Sequence, residues 1–216
     1  MRLRLAWLLL AMLASAVTAR PARTEPGDEQ DPTAPLVAHH PMLRSSLARI
    51  SAGSRLWRDA LQTLEGSGRR AILLTPDQVK VRGPEDSTLR SFDPDVIAEV
   101  APVVVHGSQV PVVLVVVNVP LLRQLYHAQS SFSPADVYRD LDRIVVHEVY
   151  GHAFPYLLVG DVSGRCPDAA PGQPVVEACA VQRENAVRTE LRLGRREDAG
   201  LNGLSLARRG RLPGGI

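Results

Sequence analysis

Two valine-rich runs constrain the fold of this chain more than any other feature of its sequence. Val103–Val105 and Val112–Val117 consist almost entirely of β-branched residues, and Gly107-Ser108 lies between them. β-Branched residues favour strands, and a run without polar alternation predicts a strand that is covered on both faces. If such a run were exposed to solvent, it would promote aggregation. The sequence therefore predicts a hairpin that is buried within a sheet.

The segments before this hairpin predict one long helix and two short strands. Apolar residues recur every three or four positions from Leu43 to Leu64, which is typical of an amphipathic helix, and Gly53-Ser54 is a possible interruption. Short strands are predicted at 71–74 and 79–81, on either side of a turn. Residues 83–95 are expected to form a loop because they are rich in Pro, Asp and Ser.

A second helix is predicted after the hairpin. Ser133, Pro134 and Asp136 have the character of a capping residue, a first-turn proline and an acid near the positive end of the helix dipole. The inward-facing apolar residues that follow lead directly to His147. The elements together predict an α+β domain with a small mixed or antiparallel sheet.

The two ends of the chain differ in composition from this central domain, predicted at 42–197. Residues 1–19 combine a positively charged start, a short apolar stretch and a small-residue end, which is typical of a secretory signal peptide. The apolar stretch is shorter than the ~20 residues that span a bilayer, so we expect cleavage and no stable membrane insertion afterwards. The proline-rich residues 20–41 predict a disordered linker, and the glycine-containing residues 198–216 a flexible tail. The mature protein is expected to be secreted, or to reside in the periplasm or cell envelope.

The charge of the chain excludes one class of partner. The formal net charge is only +2, and the basic residues are scattered along the sequence rather than clustered. Nucleic-acid binding requires a concentrated basic surface, so no nucleic-acid partner is expected.

The candidate chemistry begins with His147-Glu148-Val149-Tyr150-Gly151-His152. Two histidines flanking a glutamate on a helix are typical of a zinc site, but they usually lie four residues apart. On an α-helix, five residues turn the direction by about 140°, which would separate the two side chains. A π-bulge would return them to one face, and Gly151 is a weak point where it could form. Pro155 predicts a kink or an end of the helix.

A second predicted helix supplies two further carboxylates. Glu177 and Glu184 lie seven residues apart, and therefore on one helix face. His147, His152 and Glu177 would hold Zn²⁺ and leave a position open for water, with Glu148 as general base. Glu184 could orient a ligand histidine from behind. The alternative is a pair of helices in which these histidines and carboxylates bind no metal.

The chain contains two cysteines, Cys166 and Cys179. In an oxidising compartment we expect them to form a disulfide, which would anchor the helix that carries Glu177. Two free thiols are the alternative. A cysteine ligand to zinc is not expected, because two histidines and a glutamate already leave one position for water.

The motif residues resemble those of known metallopeptidases. His147-Glu148-x-x-Gly151-His152 with Glu177-Ala178-Cys179 resembles the HExxGH and EEC elements of dipeptidyl peptidase III. The phrase Glu177-x-x-Ala180-Val181-x-x-Glu184-Asn185-x-x-Arg188 is similar to gluzincin-type domains of bacterial effectors and toxins. The resemblance covers roughly residues 100–195. Ala178 replaces the second glutamate of the EEC element, and the toxins keep the four-residue histidine spacing.

The resemblance implies a zincin-like fold, in which a sheet packs on the active-site helix and a second helix carries the third ligand, Glu177. It also implies hydrolysis of a peptide or protein substrate, with a sheet strand beside the active-site helix available to the substrate backbone. The candidates for stabilising the oxyanion are Tyr150, Tyr156, His127 and Arg188. The alternative function is a non-catalytic exported domain with a structural zinc site or no metal.

Overall fold

The computed structural model describes residues 8–10, 34–82, 89–91, 96–105, 112–128, 133–159 and 175–196. The predicted tail at 198–216 lies outside these residues. The strands are β1 (Leu8–Leu10), β2 (Leu36–Ala38), β3 (Arg70–Leu74), β4 (Lys80–Arg82), β5 (Leu89–Ser91), β6 (Ala98–Val105) and β7 (Val112–Val117). The α-helices are α1 (Pro41–Gly53), α2 (Arg55–Leu64), α3 (Val119–His127), α4 (Pro134–Val145), α5 (Phe154–Val159) and α6 (Val175–Glu190). No helix in the described ranges is both long and apolar enough to cross a bilayer.

The main sheet is mixed, and this confirms the predicted α+β class. Its strand order is β1-β6-β7-β3-β2. β6 and β7 are antiparallel, with Ala98 opposite Val117 and Val103 opposite Val112, so the predicted hairpin is confirmed. β7, β3 and β2 run parallel to one another.

Every side chain of β7 is buried, as its lack of polar alternation predicts. Val113, Val115 and Val117 point into the main core, which the helices share. Val112 and Leu114 alternate with them and pack on the opposite face, in a smaller apolar cluster. Both faces of the strand are therefore covered.

The predicted disordered linker at 20–41 is wrong over its last residues. Leu36–Ala38 form β2, which pairs with β3 and is buried, and α1 begins at Pro41. These three consecutive apolar residues pair with β3 and become buried, and this stabilisation outweighs the tendency of the surrounding prolines to prevent regular structure. Leu8–Leu10, within the predicted signal peptide, pair in parallel with β6. Cleavage of the signal stays a prediction.

β5 and α3 were also not predicted from the sequence. The strand predicted at 79–81 corresponds to β4, which pairs with β5 in a separate two-stranded antiparallel sheet, so the segment 83–95 is not entirely a loop. α3 follows β7 directly, and Asn118 caps it by accepting a hydrogen bond from the backbone N–H of Leu121 at 3.0 Å.

The predicted interruption of the first long helix is confirmed at Ser54. This residue separates α1 from α2, and its hydroxyl accepts from the backbone N–H of Trp57 at 3.1 Å. At the start of α1, Nδ1 of His40 accepts from the backbone N–H of Met42 at 3.2 Å. Burial lowers the pKa of His40, and the opposing effect of Asp77 is smaller. This cap requires a neutral imidazole.

A buried carboxylate connects α1 to α4. Asp142 accepts from the hydroxyl of Ser46 at 2.6 Å and from two nitrogens of Arg49 at 2.6 and 3.0 Å. α4 itself begins as predicted, because Ser133 and Asp136 form a reciprocal capping box. These contacts fix the helix that leads into the candidate site.

Candidate metal centre

A π-helical segment, Val146–Ala153, brings the two histidines of the motif together. It continues α4 without a break and passes into α5 at Phe154. In a π-helix the hydrogen bonds join residues five apart, so such residues lie on the same face of the helix. The Nε2 atoms of His147 and His152 are 3.3 Å apart. The π geometry that the spacing requires is therefore present.

Glu177, in the first turn of α6, completes a three-membered group. One carboxylate oxygen lies 3.4 Å from Nε2 of His147, and the other lies 3.5 Å from Nε2 of His152. The two histidines are buried, whereas Glu177 is about one-third exposed. These three residues could hold a metal ion, and Glu148 is not part of the group.

Gly151 allows α6 to approach the π segment. A Cβ at this position would lie 3.0 Å from Cβ of Ala180 and 3.2 Å from its backbone atoms. Any larger residue would push the two helices apart. Gly151 therefore has a packing role, and this role could not be read from the motif alone.

A kink or an end of the helix was predicted at Pro155, and the chain stays helical past this proline, so the end is wrong. Pro155 has no N–H to donate to the carbonyl of Gly151, four residues earlier. That carbonyl accepts from Nη1 of Arg183 on α6, at 3.3 Å. A side chain of the neighbouring helix thus compensates for the missing backbone donor.

Glu184 lies behind His147, on the side away from Glu177. Its Oε2 is 2.5 Å from Nδ1 of His147, and its side chain is fully buried. Arg188 donates to Oε1 at 2.8 Å, and Arg196 lies 3.4 Å from Oε2. The structure thus places Glu184 where it can orient the imidazole of His147.

The electrostatics of the group favour a cation at its centre. Burial lowers the pKa of His147, but the hydrogen bonds to Glu177 and Glu184 outweigh burial and raise it to about 9. His147 and His152 together hold the pKa of Glu177 well below its usual range. Burial would raise the pKa of Glu184, yet its contacts with His147 and Arg196 lower it. Two ionised carboxylates therefore surround one imidazole, and a proton or a metal ion can supply the positive charge.

Two of the four candidates for an oxyanion donor have other roles in the structure. Arg188 is almost fully buried against Glu184, so it cannot reach a substrate. The ring of Tyr150 stacks on Trp57 at a centroid distance of 6.3 Å and contacts Phe154 edge-on. Tyr156 is partly buried and His127 is exposed, and these two remain candidates.

The predicted disulfide falls partly outside the described residues. Cys179 is fully buried in α6, two residues after Glu177, and Cys166 lies in the segment 160–174. The pairing stays a prediction.

Sequence reasoning missed the residues that support the group from a distance. Arg183 and Arg196 were not predicted to contact the site, although Arg183 donates to the carbonyl of Gly151, next to His152, and Arg196 contacts the Glu184 oxygen that faces His147. Neither belongs to a motif of metal ligands, and Arg196 lies beyond the end of α6. Only the three-dimensional arrangement identifies them.

No protein-family model matches this chain, and neither the curated proteins nor the solved structures include a match. The resemblance to dipeptidyl peptidase III and to gluzincin-type domains therefore rests on the motif residues alone.

Proposed function

We propose that this protein is an exported zinc metallopeptidase with a zincin-like active site. His147, His152 and Glu177 would hold Zn²⁺, Glu148 would act as the general base, and Glu184 would orient His147. The observation that carries this proposal is the convergence of His147, His152 and Glu177, whose ligand atoms lie within 4.8 Å of one another. The predicted signal peptide at 1–19 supports export.

The donor set supports zinc as the metal. Two imidazoles and one carboxylate are ligands of catalytic zinc sites, and three protein ligands would leave a fourth position for water. The same donor types form the facial site of non-haem iron enzymes, so metal analysis has to distinguish zinc from iron.

The proposed reaction assigns a separate task to each residue. Bound zinc would lower the pKa of a water molecule to about 7 and polarise the substrate carbonyl. Glu148 is half-buried and follows His147 directly in the π segment. Its carboxylate would accept a proton from the attacking water and deliver it to the leaving amine. His147 would be held with its Nδ1 proton toward Glu184, which leaves the Nε2 lone pair for the metal.

Metal analysis tests the ligand assignment. The purified wild-type protein is expected to contain about one zinc and no stoichiometric iron per chain. His147→Ala, His152→Ala and Glu177→Ala should each lose the zinc. Full retention of zinc in these variants, or a wild-type protein that binds none, would overturn the proposal.

A change at Glu148 distinguishes an enzyme from a structural zinc site. Glu148→Gln should keep its zinc but hydrolyse a mixed peptide library about 10²–10⁴ times more slowly, because the amide cannot accept the proton. Glu65→Gln, at an exposed position after α2, is the matched control and should leave the rate unchanged. Equal hydrolysis by wild type and Glu148→Gln would show that Glu148 is not the base. A zinc-loaded wild type that cleaves no member of the library would favour the structural role.

A further inference from the structure

The chain immediately after α6 folds back over that helix. Arg192 and Gly194 both have positive φ angles, of 56° and 76°, and these angles reverse the direction of the chain. The reversal brings Arg196 to the buried carboxylate of Glu184, two turns back along the helix. We call the segment 193–196 the C-terminal strap.

Side chains from two helices hold the backbone of the C-terminal strap. Nε and Nη2 of Arg143, on α4, donate to the carbonyl of Leu193 at 3.0 and 2.6 Å. Nε of Arg188, on α6, donates to the carbonyl of Gly194 at 2.7 Å. These bonds tie the strap both to the helix that leads into the π segment and to the helix that carries Glu177.

Asn185 fixes the last residue of the strap. Its side-chain amide donates to the carbonyl of Arg196 at 2.7 Å, and its side-chain oxygen accepts from the backbone N–H of Arg196 at 2.7 Å. This reciprocal pair sets both the position and the orientation of the Arg196 backbone. Asn185 follows Glu184 directly on α6, so the residue that binds the Arg196 backbone is adjacent in sequence to the one that contacts the Arg196 side chain.

Arg196 contacts the same carboxylate oxygen that faces His147. Oε2 of Glu184 lies 2.5 Å from Nδ1 of His147 and 3.4 Å from Nη1 of Arg196, whereas Arg188 takes the other oxygen. An ionised carboxylate that is fully buried needs charge-assisted partners to keep one orientation. Arg188 belongs to the same helix as Glu184, one turn further on. Arg196 depends on the strap to reach it.

We propose that the C-terminal strap is a positioning element of the metal centre, with Arg196 as the residue through which it acts. The strap holds the guanidinium of Arg196 3.4 Å from Oε2 of Glu184 and thereby fixes this oxygen as the acceptor for the Nδ1 proton of His147. The imidazole then keeps one ring orientation and directs its Nε2 toward the metal. This inference rests on the proposed function only in requiring that the site binds zinc.

Zinc affinity measured by competition with a chromophoric chelator tests this role without any substrate. Removal of a residue that orients a metal ligand from behind typically weakens affinity 10–100-fold. Arg196→Ala should therefore raise the Kd for zinc about tenfold. Asn185→Ala, which releases the strap but does not alter the Arg196 side chain itself, should also weaken binding. Arg195→Ala removes the adjacent exposed arginine and should stay within about twofold of wild type.

Nitrogen-15 NMR of the histidine rings adds a readout that general destabilisation would not change. In the zinc-loaded wild-type protein, His147 should show one tautomer, with an Nδ1 proton protected from solvent exchange. That protection should be lost in Arg196→Ala under conditions in which the protein is fully folded. If Arg196→Ala does not fold, Asn185→Ala carries the same test.

The outcomes separate this inference from the proposed function. A folded Arg196→Ala variant with wild-type zinc affinity and a protected Nδ1 proton would overturn the positioning role, while the zinc site would remain. A wild-type protein that binds no zinc would overturn both. Zinc binding without peptide hydrolysis would overturn the enzymatic proposal and leave the positioning role intact.

Discussion

The close approach of Gly151 and Ala180 makes a quantitative prediction about the metal centre. An added Cβ at Gly151 would lie 3.0 Å from Cβ of Ala180, and ordinary contacts begin at 3.4 Å. Gly151→Ala should therefore separate α6 from the π segment by about 0.4 Å at this point. Zinc sites tolerate deviations of about 0.2 Å in ligand distance, so Glu177 would no longer complete the group well.

Two opposing effects set the change in stability. Overpacking of a close contact costs about 1–3 kcal/mol, whereas replacing glycine by alanine within a helix gains about 1 kcal/mol. The free energy of unfolding of metal-free Gly151→Ala should therefore fall by about 0–2 kcal/mol relative to wild type. Zinc affinity should fall by about tenfold or more, because the displacement acts directly on the ligand helix.

Chelator competition and chemical denaturation measure these two quantities independently. The matched control is Gly151→Ala combined with Ala180→Gly, which removes the Cβ at the closest contact and leaves backbone atoms at 3.2 Å. This double variant should recover much of the zinc affinity that the single variant loses. Unchanged zinc affinity in Gly151→Ala, together with a gain in stability of about 1 kcal/mol, would refute the packing argument.

Three further predictions concern parts of the fold away from the ligands. Asp142→Ala should lower the free energy of unfolding by about 1–3 kcal/mol, because it leaves the buried hydroxyl of Ser46 unpaired, and should leave zinc affinity unchanged; a loss of zinc would contradict this. Because the pKa of His40 is lowered in the folded state, the unfolded state binds more protons below about pH 6.5. The free energy of unfolding should therefore decrease as the pH is lowered below this value. His40→Asn keeps the cap without titrating, so an equally steep fall in this variant would contradict the assignment. If Cys166 and Cys179 are bridged, titration of the folded exported protein should find no free thiol, and two reactive thiols would contradict the bridge.

The parts of the fold predicted from the sequence are those that local chemistry determines. Val112–Val117 could only be a covered strand, because the run has no polar residue to place in water. The capping residues of α4 are likewise legible in the sequence. α3 was missed although Asn118 and Pro120 are typical of a helix start, because the strong strand signal before it dominated the interpretation. β2 was missed because three apolar residues among prolines acquire a structure only through their partner strand.

The sequence predicted the three residues of the candidate group and Glu184 behind His147, but not Arg183 or Arg196. Two histidines five residues apart can face one metal only if the helix widens, so the spacing itself implied the π geometry. The position of Arg196 depends on the positive φ angles of Arg192 and Gly194, and only one of those two residues is a glycine. Nothing in the local sequence indicates that the chain reverses there toward Glu184.

The arrangement of α6 explains why so many contacts converge on one imidazole. Glu177 and Glu184 are separated by about 10.5 Å along the helix axis, yet they contact opposite nitrogens of His147, at 3.4 and 2.5 Å. A rotation or a slide of α6 that improved one contact would weaken the other. His147 thus responds to the position of the whole helix. For this reason a packing change at Gly151 and a change in the C-terminal strap should both appear as a change in zinc affinity.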